Sequence, residues 1–153
     1  MSWIDEEFAK REKAEEERKK RIADEAARER SVSNIVIPAW QRLVTVIRAD
    51  VDRFNKHSLK KMWTRVTDDV LQVQWDGEVE FLLELELDAP KHRIVYSAPA
   101  QPPHEWKTHT GSLSIRDKHG VPALYSGTNP GANDAPLSFE EASEMILRPV
   151  LFG

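Results

Sequence analysis

The chain has 153 residues, of which 40% are hydrophobic and 31% are charged, and its formal net charge is −4. The absence of cysteine excludes disulfides, cysteine-ligated zinc, iron–sulfur clusters and thiol catalysis. No apolar run approaches the roughly 20 residues of a transmembrane helix, and the first residues do not resemble a secretory signal. We therefore expect a cytoplasmic protein with no membrane partner.

Residues 1–31 form a charged block in which ten acids balance nine bases. Six pairs place an acid four residues before a base, an orientation worth about 0.2–0.5 kcal/mol per pair on a helix. The block predicts a charged helical arm that forms without a core. Two interpretations stay open for it: a solvated helix or frayed tail, or an arm whose tip, with Trp3, Ile4 and Phe8, docks on a protein partner or a sister chain.

From residue 32 onward the composition is typical of a folded domain, and we predict a single α+β globular domain over 32–153. Apolar residues recur at helical spacing from Trp40 to Phe54, which predicts an amphipathic helix over 37–56 with its apolar face in the core. Pro38 suits the first turn of that helix, so the pattern predicts a helix start there.

Alternating hydrophobicity then predicts strands near 60–67, 70–75, 78–87, 92–98, 112–118 and 121–126. Directly opposed residues of an antiparallel pair share a face, and this rule predicts the hairpin registers. The predicted opposite pairs are Val73 with Val79, Leu85 with Ile94, and Ile115 with Ala123. The first and third hairpins need three-residue turns with a left-handed glycine, Gly77 and Gly120.

Two irregular loops, 99–111 and 127–136, separate the last elements. Ser138 and Glu141 form a capping box, which predicts a closing helix that ends at Pro149 and is followed by a packed apolar tail. The predicted fold class is α+β: an antiparallel meander of about five to six strands, packed by an amphipathic helix and a C-terminal helix and preceded by a long charged N-terminal helix.

The sequence contains no glycine-rich phosphate loop and no nucleophile-elbow motif, and its histidines lack metal-ligand spacing. We therefore predict no catalytic residue, no metal and no cofactor. The preferred function is a non-enzymatic protein–protein interaction module, which assembles with a protein partner or as a homo-oligomer through the arm.

The charge distribution supports one alternative. Residues 32–66 carry seven bases and two acids, whereas residues 67–100 carry eight acids and two bases. Basic residues around Trp63 suit the phosphates of a nucleic acid, and the indole suits stacking on its bases. The residues of this alternative are Arg48, Arg53, Lys56, Lys60, Lys61 and Arg65. A second alternative is an enzyme or small-ligand binder with a pocket between the sheet, the Trp40 helix and the two long loops.

Overall fold

The computed structural model describes residues 2–78, 81–99, 109–128, 130–131 and 134–152. Its helices are α1 (Trp3–Ser31), α2 (Ile37–His57) and α3 (Phe139–Phe152). Its strands are β1 (Met62–Val66), β2 (Val70–Trp75), β3 (Leu83–Asp88), β4 (Arg93–Ala98), β5 (His109–Lys118) and β6 (Val121–Ser126). The predicted α+β fold class is confirmed.

The predicted break between the charged helix and the amphipathic helix is wrong. A π-helical turn, Val32–Val36, joins α1 to α2, so the helix runs unbroken from Trp3 to His57. The amide of Ile37 donates to the carbonyl of Val32, which widens the turn just before Pro38. Because Pro38 has no amide hydrogen and its ring crowds the preceding turn, this widening lets the helix continue through the proline.

The six strands form one antiparallel sheet in the order β1 to β6, each paired with the next along the chain. The π-helical turn, α2 and α3 pack on the face that carries Leu71, Leu85 and Ile94, all fully buried. The buried face of α2 comprises Ala39 and most of the apolar residues that the helical spacing predicts, whereas Phe54, the last of the pattern, is half-buried. Its Trp40 indole donates to the carbonyl of Asp68 at 3.1 Å, so the buried N–H has a partner.

The three hairpin registers predicted from face matching are wrong. The observed partners are Leu83 for Val73, Tyr96 for Leu85, and Leu124 for Ile115. The first register is shifted by four residues and the second by two, and an even shift keeps every side chain on its face. Matching the faces of opposed residues therefore cannot reveal a register error of two or four residues. The strand predicted over 78–87 accordingly begins later, at Leu83, and its residues 79–80 lie outside the described residues.

The third register is shifted by one residue because the β5–β6 turn has two residues instead of three. His119 and Gly120 both adopt left-handed backbone conformations, with φ of 54° and 82°, as a two-residue hairpin turn requires. Ala123 therefore points away from the face that carries Leu124. Gly77 also has a positive φ, as predicted, but β2 and β3 do not pair directly after it.

The capping box of α3 is confirmed. The Glu141 amide donates to Ser138 Oγ at 3.0 Å, and the Ser138 amide donates to Glu141 Oε1 at 3.1 Å. The predicted stop at Pro149 is wrong, because α3 continues to Phe152. Val150 and Leu151 pack against the core, which favours continued helix despite the bond lost at Pro149, whereas Phe152 is 75% exposed.

Candidate functional site

The first candidate surface is the arm tip, defined as residues 2–8 at the start of α1. Trp3 is 76% exposed, Phe8 is 61% exposed and Ile4 is 47% exposed. The helix begins firmly at this point, because Ser2 Oγ accepts a hydrogen bond from the Asp5 amide at 3.3 Å. Asp5 and Glu6 in the first turn suit the positive end of the helix dipole. The tip therefore presents large apolar side chains on an ordered backbone.

No described side chain of α1 is buried. Ile4 and Phe8 are four residues apart, and Ile22, also exposed, follows Ile4 by 18 residues. At 3.6 residues per turn, 18 residues are five turns, so Ile4 and Ile22 lie on one face of the helix. Charged residues separate them, which makes the apolar surface densest at the tip.

The second candidate surface is a groove of about 720 Å³ between the C-terminal half of α2 and the helix α3. We refer to it as the α2–α3 groove. Its apolar lining comes from Phe54, Leu147, Leu151 and Phe152. The Phe54 ring contacts Phe152 edge to face at 5.9 Å between centroids and lies 6.0 Å from Trp75.

Sequence reasoning missed this groove, although one signal was present. Leu147 and Leu151 are four residues apart and therefore form a stripe that continues through Pro149. The prediction that the helix ends at Pro149 removed the second half of that stripe.

One partly buried hydrogen bond joins the two walls of the groove. Ser143 on α3 is fully buried, and its Oγ donates to Asp50 Oδ2 on α2 at 2.7 Å. The two residues are 93 positions apart in sequence, so this bond is a tertiary constraint on how α3 lies against α2.

The rim of the groove carries charges of both signs. Arg53 and His57 belong to the α2 wall, and Glu140 and Glu144 belong to the α3 wall. Arg53 is 78% exposed and lies 3.9 Å from Asp50, whereas Glu144 pairs closely with Arg148 at 2.9 Å. The groove thus combines an apolar floor with an α2 side from which an exposed guanidinium projects.

The six basic residues of the nucleic-acid alternative do not form one uninterrupted surface. Arg48, Arg53 and Lys56 are exposed on α2, whereas Arg65 lies on β1 beside Thr67, Gln72 and Glu84, on the sheet face away from the helices.

The two lysines of that set are engaged locally. Lys60 pairs with Glu78 at 2.9 Å and lies over the Trp75 ring at 4.7 Å. The Lys61 ammonium donates to the carbonyls of Asn55 and Ser58, at the end of α2. This contact suits the negative end of the helix dipole. Nucleic-acid binding stays a prediction, carried mainly by the α2 residues.

Among the described residues, no three His, Asp or Glu side chains lie close enough to hold a metal ion. His104 lies outside the described residues. The buried Nε2 of His109 has no hydrogen-bond partner among the described residues, and its ring packs on Tyr96 at 5.2 Å. Burial raises the pKa of the Tyr96 hydroxyl above its ordinary value of 10.0.

The ligand-pocket alternative concerns the space beside the Trp40 helix. In the described part of this region, Leu43, Ile47 and Leu113 are fully buried and belong to one continuous apolar core. Residues 100–108 of the first long loop lie outside the described residues. A pocket under that loop stays a prediction.

No family model matches this chain, and no curated protein or solved structure is significantly similar to it. Among the described residues, no helix combines the length and apolar character needed to cross a membrane. The functional argument therefore depends on the two candidate surfaces themselves.

Proposed function

We propose that this chain is a non-enzymatic interaction module of the cytoplasm. Residues 1–31 act as a helical arm, and residues 32–153 act as the single α+β domain that carries it. The arm tip makes the contact with a protein partner or a sister chain. One observation carries the proposal: Trp3, Ile4 and Phe8 are exposed together in the first turns of α1, a helix whose described side chains contribute nothing to the core.

Two physical points support this function. Trp and Phe are enriched at interfaces because each buries roughly 150–250 Å² when it is covered. A 29-residue helix also extends roughly 44 Å at 1.5 Å per residue, which separates the tip from the domain surface. The helix continues directly into the core helix α2, so the backbone of the tip is already helical before it binds. The tip therefore loses little conformational entropy on binding.

The experiment compares the full chain with a variant that carries Trp3→Ser, Ile4→Ser and Phe8→Ser. Val121→Ser is the matched control, because Val121 is 58% exposed but lies on β6, outside the arm. Each chain is analysed by light scattering over a concentration series and as bait in native extract. We expect the tip variant to lose the oligomer or the bound protein that both the original chain and the control retain. Equal assembly and equal capture by the tip variant would overturn the proposal.

A further inference from the structure

The geometry points to a second copy of this chain as the occupant of the α2–α3 groove. We infer that the arm tip of one copy lies in the groove of the other, with Phe8, Ile4 and Trp3 against Phe54, Leu151 and Phe152. This inference rests on the proposed function and deepens it, because it names the partner and the surface that receives the tip.

The first argument is distance. The helix is unbroken from Trp3 to His57, and the tip and the groove lie near its opposite ends. Phe8 precedes Asp50 by 42 residues, which is roughly 63 Å of helix. An arm therefore cannot reach the groove of its own chain without breaking the helix, whereas the arm of another copy can.

The second argument is shape and composition. The groove lies between two helices and has an apolar floor, which is the usual receptor for one apolar face of a third helix. The tip supplies such a face on an already formed helix, with Ile4 and Phe8 one turn apart. The apolar face of the tip is about two helical turns long, and the groove likewise has a short apolar lining of four residues.

The third argument is charge. Acidic residues Glu6 and Glu7 of the tip are followed one turn later by Lys10 and Arg11. The groove carries Arg53 on its α2 wall and Glu140 on its α3 wall. Residues four apart share one side of a helix, so an acid–base pair of the tip can lie along the α2 wall, with the acid near Arg53 and the base near Asp50, which also lines the groove. Such complementarity fixes orientation more than it adds affinity.

The fourth argument is closure. If each of two copies inserts its tip into the other, the contact is made twice about a two-fold axis and the assembly ends as a dimer. The two aromatic side chains of one tip bury roughly 300–500 Å² when covered. Two tips, together with the groove surfaces they cover, reach the roughly 1,000 Å² of total area that a specific interface needs.

The first test uses one variant on each surface of the full chain. Phe8→Ser removes an anchor of the tip, and Phe152→Ser removes an exposed wall of the groove, so neither change opens the core. We expect each variant to weaken the dimer at least tenfold in sedimentation equilibrium, since buried aromatic anchors dominate interfaces. Val121→Ser should leave the dissociation constant within about twofold.

Mixing the two variants separates this geometry from a general loss of structure. A mixed dimer pairs the intact tip of the Phe152→Ser chain with the intact groove of the Phe8→Ser chain, so one of the two contacts is restored. We expect the mixture to dimerise more tightly than either variant alone. A mixture no tighter than its components would overturn the inference.

Because the chain has no cysteine, a disulfide placed at the interface gives a direct geometric test. We expect the Lys10→Cys chain and the Arg53→Cys chain, when mixed and oxidised, to form a cross-linked dimer, because Arg53 lines the groove and is exposed. Lys20→Cys replaces Lys10→Cys in the control, since it lies about 15 Å further along the helix. Equal cross-linking of both positions would contradict the docking.

The outcomes distinguish this inference from the proposed function. If the chain dimerises and only the tip variant weakens the dimer, the arm contact stands and the groove is the wrong receptor. If the chain stays monomeric at every concentration, the second copy is not the occupant, and the tip then faces a different protein partner. If tip variants change neither assembly nor capture, both proposals fail.

Discussion

The hydrogen bond from Ser143 to Asp50 is the sharpest test of how α3 is positioned on α2. Ser143 is fully buried, its donor–acceptor distance to Asp50 is 2.7 Å, and the acceptor is a carboxylate. A hydrogen bond to a charged group contributes about 1.5–3 kcal/mol. We expect Ser143→Ala to lower the free energy of unfolding by about 1.5 kcal/mol.

The partner change should cost a similar amount for a different reason. Asp50→Ala leaves the Ser143 hydroxyl buried without its acceptor, which costs about 1–3 kcal/mol. Once either Ser143 or Asp50 has been replaced, the hydrogen bond is already lost, so replacing the second residue should lower the free energy of unfolding by little more. The double variant should therefore lose at least about 1 kcal/mol less than the sum of the single changes.

Urea unfolding of the four chains at pH 7 measures this cycle, provided that the transition is two-state. Arg53→Ala is the control, because Arg53 also approaches Asp50, at 3.9 Å, but is largely exposed and should change stability by less than about 1 kcal/mol. Single changes that add to within about 0.3 kcal/mol would refute the coupling between α2 and α3.

Four further predictions address the arm, the sheet and the basic residues. Removal of residues 1–31 should change the free energy of unfolding in urea by less than about 1 kcal/mol, because no described α1 side chain is buried. A truncated chain that no longer unfolds cooperatively would contradict this prediction. Gly111→Ala should cost about 1–3 kcal/mol in thermal or urea melts, because its new Cβ would lie 2.5 Å from Tyr96 Cζ. Gly131→Ala is the control and should be tolerated, because among the described residues its new Cβ meets Asp134 alone, at 3.6 Å. Burial raises the pKa of the Tyr96 hydroxyl, so the folded chain keeps this proton to a higher pH than the unfolded chain does. The resulting contribution to the free energy of unfolding is complete below pH 10 and is lost as the pH rises further. Tyr96→Phe should therefore reduce the loss of stability at alkaline pH that urea melts measure. If the basic residues bind nucleic acid, affinity for generic DNA or RNA should fall steeply with salt and weaken with Arg48→Glu; no binding at low salt would end that hypothesis.

The sequence predicts the element types well because local patterns determine them. The spacing of apolar residues from Trp40 predicts the buried face of α2, and the Ser138–Glu141 pair predicts the start of α3. Both signals depend on residues within a few positions of each other. The ends of the helices are predicted less well. Pro38 indicates a helix start and Pro149 a helix end, but tertiary packing keeps the chain helical through both prolines.

The hairpin registers show where local reasoning ends. The alternation of side chains fixes which face a residue joins but not how many residues a loop contains. Val73 therefore pairs with Leu83, four residues beyond the predicted partner and on the same face. The two-residue turn at His119 and Gly120 lacked the Asn-Gly or Asp-Gly signal typical of such turns.

The candidate site divides in the same way. Trp3, Ile4 and Phe8 were identifiable because large apolar residues in a charged block are conspicuous, and the structure places all three in solvent. The α2–α3 groove was not predictable, because Phe54 and Leu151 are 97 residues apart in sequence and only the folded chain brings them together.

Amide hydrogen exchange of the full chain, followed at low and high protein concentration, tests the central claim most directly. The account predicts that α1 amides exchange much faster than those of α2 in dilute protein, because α1 packs against no core. It also predicts that residues 2–8 become protected at high concentration, when tips are bound. Equal and slow exchange of α1 and α2 at the lowest concentration would show that the arm belongs to the folded core and would contradict the account.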